Sequence, residues 1–110
     1  SPFICWGDGS PIRDFIHADD VAEGILMCYE KKITEPINLG SGKGVSIKEL
    51  VDTLVEIYDG DVDVQWDESR PNGDAIRLMD MTRANKHGFY PKKDLKAGLK
   101  EVVEYYESIS

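Results

Sequence analysis

Residues Trp6-Gly7-Asp8-Gly9-Ser10-Pro11-Ile12-Arg13-Asp14-Phe15-Ile16-His17-Ala18-Asp19-Asp20 decide how this chain is read. Their centre, Gly7 to Pro11, is dense in turn formers: the glycines accept positive φ, Asp8 and Ser10 can bond nearby backbone, and Pro11 fixes its own φ. On one side lies the apolar run Phe3-Ile4-Cys5-Trp6, and on the other Ile12 to Ile16, where polar and apolar residues partly alternate. The pattern predicts two short strands joined by the turn. Asp19 and Asp20 then stand where a helix begins, one as its cap and one favouring the positive end of its dipole. Arg13 and Trp6 fall near the turn. Arginine presents a planar fork of donors that fits phosphate at two points, and tryptophan presents a flat face to a sugar or base.

Downstream, Val21, Ala22, Ile25, Leu26 and Tyr29 repeat at helical spacing and predict a helix from Asp19 to Lys31. Ile37-Asn38-Leu39 reads as a short buried parallel strand with no evident partner. Ser46 and Glu49 form a capping box, flanked by Val45 and Leu50 as a hydrophobic staple, and Ile47, Leu50, Val51, Leu54, Val55 and Tyr58 mark one buried helix face ended by Gly60. Val62 to Trp66 alternates as a half-buried strand, and Ile76 to Asp80 could extend beyond the polar loop that follows it. Thr82 is the expected cap of a short helix stopped by Gly88, and Asp94 that of a last helix carrying Leu95, Leu99, Val102, Val103 and Tyr106. Three main helices with short strands make the class α/β, or α+β for the piece on its own.

At 110 residues the chain is a single domain at most, and 41% apolar residues are those of a globular chain. A formal net charge of −8 argues against nucleic acid or membrane surfaces as partners, so any phosphate site must be built locally from a few arginines. Cys5 and Cys28 form no C-x-x-C and have neither His17 nor His87 beside them in a ligand pattern, so no metal site is expected, and reduced thiols fit a cytoplasmic location. No apolar run has membrane length. The opening Ser1-Pro2-Phe3-Ile4 runs straight into a strand, as in a piece of a longer polypeptide.

Gly40-x-Gly42-x-Gly44 lies between a strand and a helix, but Val45 stands where the dinucleotide fingerprint needs glycine, and Lys43 is not followed by Ser or Thr as in a P-loop. A structural loop is the better reading. No tyrosine is followed four positions later by lysine, and no Ser–His–acid set is spaced for catalysis, so no catalytic residue is expected here. Arg70-Pro71-Asn72-Gly73-Asp74 with Arg77 sets two arginines around a turn. With Trp6 and Arg13 they form the loop-borne set that could hold a nucleotide diphosphate sugar.

Trp6 to Ala22, Ile37-Asn38-Leu39-Gly40-Ser41-Gly42 and Ser46-Ile47-Lys48-Glu49-Leu50 resemble the C-terminal part of extended short-chain dehydrogenases/reductases, the NAD-dependent epimerase/dehydratase family. Ser69 to Ala84 and Gly88-Phe89-Tyr90-Pro91 look most like its GDP-L-fucose synthase branch, although Arg70-Pro71-Asn72-Gly73-Asp74 is also similar to the Arg-x-Gly-Asp loop of UDP-sugar epimerases with one residue inserted. The resemblance implies that residues 1–110 are a single substrate-binding segment and that the Rossmann half, with its NADP or NAD and its catalytic groups, precedes Ser1. No cofactor is expected to bind this chain alone. It further implies Arg13 and Arg77 on the diphosphate, Trp6 and Asn72 orienting nucleoside or sugar, and Arg70 beside them. The alternatives are a UDP-sugar epimerase or dehydratase segment and a non-catalytic assembly module. Helix faces made for the missing half would promote homo-oligomers.

Overall fold

The structure is a computed structural model describing residues 2–110; Ser1 lies outside the described residues. The elements run β1 (Phe3–Trp6), β2 (Ile12–Asp14), α1 (Ala18–Glu30), β3 (Gly44–Ser46), α2 (Ile47–Ile57), β4 (Val64–Asp67), β5 (Ile76–Arg77), α3 (Thr82–Lys86) and α4 (Leu95–Ile109). The two strands around the first turn are present but do not pair with each other. β1 joins β4 in a parallel pair, whereas β2 is the middle strand of a second sheet, antiparallel to β3 and parallel to β5. The turn at residues 7–11 thus carries the chain from one sheet to the other. Gly7 and Gly9 make this possible at φ of +87° and +80°, which side chains disfavour.

The helices begin where their caps place them. Ser46 accepts from Glu49 N–H at 3.0 Å and Asp94 from Ala97 N–H at 2.8 Å, as expected. Two other caps differ from expectation. His17, not Asp19, caps α1 by accepting from Asp19 N–H at 3.0 Å through Nδ1. Ahead of α3, it is Asp80 that accepts from Thr82 N–H at 2.9 Å, so Thr82 is the capped residue. Asp20 is released for another task. It is buried, and its two carboxylate oxygens accept from Lys92 and Lys93 N–H at 3.1 Å each, binding the approach to α4 onto α1.

Ile37–Leu39 enters no ladder among the described residues, so the expected strand is not formed. Ile37 and Leu39 instead pack, with Ile16 and Met27, against the small core of Met81, Ala84 and Phe89. Gly24 lets α1 close on that core, since a Cβ there would meet Leu39 at 2.7 Å and Phe89 at 3.0 Å. The remaining face of α1 turns outward: Ile25, Leu26 and Tyr29 are exposed, the last to 82%.

The molecule is a slab of 50 × 33 × 18 Å with a radius of gyration of 16.3 Å, against about 13 Å for a compact chain of this length. Its accessible surface of 7838 Å² likewise exceeds the roughly 6,100 Å² of a monomer of this mass. The exposed surface includes large apolar side chains, among them Phe3, Ile4, Ile25, Leu26 and Tyr29.

Candidate functional site

β2 and β5 pair in parallel with Arg13 opposite Arg77. Partners in a parallel ladder lie about 4.8 Å apart and point to the same face, so the backbone sets these two cations side by side. Alternation along β2 sends Asp14 to the other face, away from its neighbour Arg13. There the Asp14 carboxylate accepts from Ser41 N–H at 2.6 Å, Ser41 hydroxyl at 2.7 Å, Gly42 N–H at 3.1 Å and Met79 N–H at 3.4 Å. Partial burial alone would raise its pKa. The donors of Ser41, Gly42 and Met79 outweigh that and hold it below the usual carboxylate value. The glycine-rich loop therefore already grips an anion, and that anion is its own aspartate.

Arg77 is countered by Asp74, its Nε 2.7 Å from a carboxylate oxygen. Arg13 has no such counter-charge: among the described residues it forms no ion pair, and its one hydrogen bond goes from Nη1 to the Ile12 carbonyl at 2.9 Å. Its other terminal nitrogen lies 3.5 Å from where a Cβ on Gly73 would stand. A half-buried guanidinium without a carboxylate is an open position for an anion.

The second half of the cluster hangs from β1 and β4. Trp6 and Asp67 are ladder partners at the ends of these strands, so the loop after β4 starts beside the indole. Arg70 N–H donates to the Asp67 carbonyl at 3.1 Å, turning the chain back, and its guanidinium carbon then stands 4.9 Å over the Trp6 ring. Arg70 Nε is 3.5 Å from Asp67, whose carboxyl is held down chiefly by the Ser69 hydroxyl. Trp6 remains 61% exposed, leaving much of its surface open. Asn72 completes the turn by accepting from Asp8 N–H at 2.9 Å through Oδ1.

The five expected residues are not all loop-borne: Trp6, Arg13 and Arg77 stand on β1, β2 and β5, and only Arg70 and Asn72 on the loop between β4 and β5. That loop links them, with Arg70 over Trp6, Asn72 on the first turn, and Gly73 beside Arg13, which is in register with Arg77. Asp8 bonds nearby backbone as expected, accepting from Ser10 N–H at 2.9 Å; what the residues did not announce is the part played by Asp14, which holds Ser41 and Gly42. The signal for Asp14 was the unclaimed set of N–H groups in residues 40–44. A second polar cluster, His17, Asp19 and Glu101, could by distance hold a cation, but Lys93 Nζ already sits 2.7 Å from Asp19 and beside Glu101. Among the described residues, no helix is long and apolar enough to cross a membrane.

Residues 1–40 match the NAD dependent epimerase/dehydratase family. The chain is 38% identical over 104 residues to a probable GDP-L-fucose synthase 1 of Oryza sativa subsp. japonica, covering 94% of this chain and 32% of that protein. It superposes on the UDP-N-acetylglucosamine 4-epimerase of Methanobrevibacter ruminantium M1, solved with UDP-N-acetylmuramic acid, with a TM-score of 0.87 and 29% identity over 100% of this chain and 36% of that one. A GDP-6-OMe-4-keto-L-xylo-heptose reductase from C. jejuni gives 0.85 and 30%, covering 97% of this chain and 34% of that one. The chain spans about a third of the length of the relatives it matches. The chain thus carries the NAD dependent epimerase/dehydratase pattern in its first 40 residues and is alike in sequence to a synthase and in fold to an epimerase and a reductase, each over about a third of that protein's length.

Proposed function

We propose that this chain is the sugar-nucleotide-binding segment of a nucleotide-sugar epimerase or reductase, which takes its NAD or NADP and its proton and hydride chemistry from the rest of the polypeptide. The observation that carries this reading is the half-buried, carboxylate-free Arg13 beside Arg77 and the Trp6–Arg70 stack. Arg13 and Arg77 take the diphosphate, and Trp6, with Arg70 above it, takes the flat face of the nucleoside or sugar. Asp74 is an exposed partner, and exposed ion pairs are worth little, so a diphosphate can displace it at small cost; Asp67 is half-buried but lies 3.5 Å from Arg70 Nε. Binding remote from the reacting carbon orients the sugar against the cofactor and so lowers the barrier. The resemblance to GDP-L-fucose synthases favours a GDP-linked 4-keto sugar, with UDP-sugars as the second reading because the same fold occurs in a UDP-sugar epimerase.

The test is steady-state kinetics of the full-length polypeptide with Arg13→Ala, using GDP- and UDP-linked 4-keto sugars. A large loss of kcat/KM for the sugar nucleotide with unchanged KM for the nicotinamide is expected. Wild-type kcat/KM in this variant ends the proposal.

A further inference from the structure

The loop of residues 67–74 is fixed at its start by the Asp67 turn and at its middle by Asn72. The Asn72 contact is tight on both sides. Its Oδ1 accepts from Asp8 N–H at 2.9 Å, and a Cβ added to Gly7 would stand only 2.0 Å from that oxygen and 3.0 Å from Cγ. The bare backbone of Gly7 is what admits the amide. Asp8 also lies against the amide: its carboxyl is held low chiefly by the Ser10 hydroxyl and Ser10 N–H, with the Asn72 side chain contributing. The segment locked in this way has Arg70 two residues before Asn72 and Gly73, the floor under Arg13, one residue after it.

From this we infer that Asn72 is a positioning residue, not a ligand contact: it latches the loop of residues 67–74 onto the Gly7–Asp8 turn, and so holds Arg70 over Trp6 and leaves Arg13 its open face. The inference rests on the proposed sugar-nucleotide site and names the device that keeps it assembled. The latch commits one of the two lone pairs of the Asn72 side-chain oxygen to backbone, in the close space that Gly7 leaves beside it. Without it, residues 70–74 are tied only at their ends, and the unliganded site spreads over many loop arrangements. Ligand binding must then select one of them, which weakens affinity and leaves the chemical step alone.

The experiment uses the full-length polypeptide with Asn72→Ala, Arg13→Ala, and the exchange Asp8→Asn with Asn72→Asp, which keeps one carboxylate, one amide and the acceptor. Two readouts are taken: hydrogen exchange of the Asp8 amide, and KM and kcat for the sugar nucleotide alongside KM for the nicotinamide. In Asn72→Ala, Asp8 exchange accelerates and sugar-nucleotide KM rises about tenfold, the size of one lost well-placed hydrogen bond, with kcat and nicotinamide KM held. The exchanged pair restores both. Unchanged Asp8 protection in Asn72→Ala overturns the latch, and so does faster exchange with unchanged KM. An exchanged pair as impaired as Asn72→Ala overturns it too, because the Asn72 amide would then serve the ligand itself. If Arg13→Ala leaves KM untouched, the site reading fails and the latch loses its role, whatever the Asp8 amide does.

Discussion

Arg13 and Arg77 stand in register on adjacent parallel strands, yet among the described residues only Arg77 of the two carries a carboxylate, Asp74, at 2.7 Å. The backbone treats them alike, and their electrostatic surroundings do not. The order of importance for anion binding follows from this difference.

In the full-length polypeptide, Arg13→Ala should raise sugar-nucleotide KM by about tenfold to a hundredfold, and Arg77→Ala or Arg70→Ala by only a few-fold. A buried-side charge-assisted contact is worth more than one that must first leave a carboxylate partner. Kinetics of the three single variants check this. Equal effects at all three positions would contradict the ranking.

Asp14→Ala leaves the N–H groups of Ser41, Gly42 and Met79 without their acceptor and should cost about 1–3 kcal/mol of stability. The folded-state pKa of Asp14 lies below its unfolded value, so its contribution is complete above the unfolded pKa of about 3.9 and is lost as pH falls through the folded one. Denaturant titrations between neutral and strongly acidic pH check both statements. The variant should show a shallower acid decline than the wild type.

Gly24→Ala should destabilise, although alanine is the better helix former by about 1 kcal/mol. The added methyl would meet Leu39 and the buried Phe89 at 2.7 and 3.0 Å, and overpacking a core typically costs about 1–3 kcal/mol. Thermal unfolding decides the sign. A raised midpoint would mean that Leu39 moves aside freely.

The outward face of α1, with Ile25, Leu26 and Tyr29, should drive self-association of the 110-residue chain on its own. Light scattering should give a mass above that of one chain, reduced by Ile25→Glu with Tyr29→Lys. A strict monomer in the parent sequence would remove this expectation.

The helices were legible because their determinants are local. Ser46 with Glu49 and Asp94 with Ala97 lie within one turn of sequence, and α1, α2 and α4 begin within a residue or two of where those patterns put them. The strand pairings were not legible. β1 finds β4 and β2 finds β5 across some sixty residues, and no local pattern encodes a partner that remote. The role of Asp20 was not legible either: it bonds Lys92 and Lys93 N–H more than seventy residues away, a tertiary contact, while His17 caps the helix. The site residues could be named from motif and chemistry. Their arrangement depended on the turn at residues 7–11, which moves the chain between sheets instead of closing a hairpin.

The glycine-rich loop of residues 40–44 carries its own guest. Because Asp14 is covalently tethered a few ångströms from the donors it occupies, its effective concentration there is far above that of any free nucleotide, and a dissolved phosphate competes poorly. The same tether sorts the charges of β2: the acid is consumed on one side of the strand, so the base on the other faces solvent with no internal rival. A loop that looks like a nucleotide trap in outline serves instead as a plug that keeps the neighbouring arginine vacant.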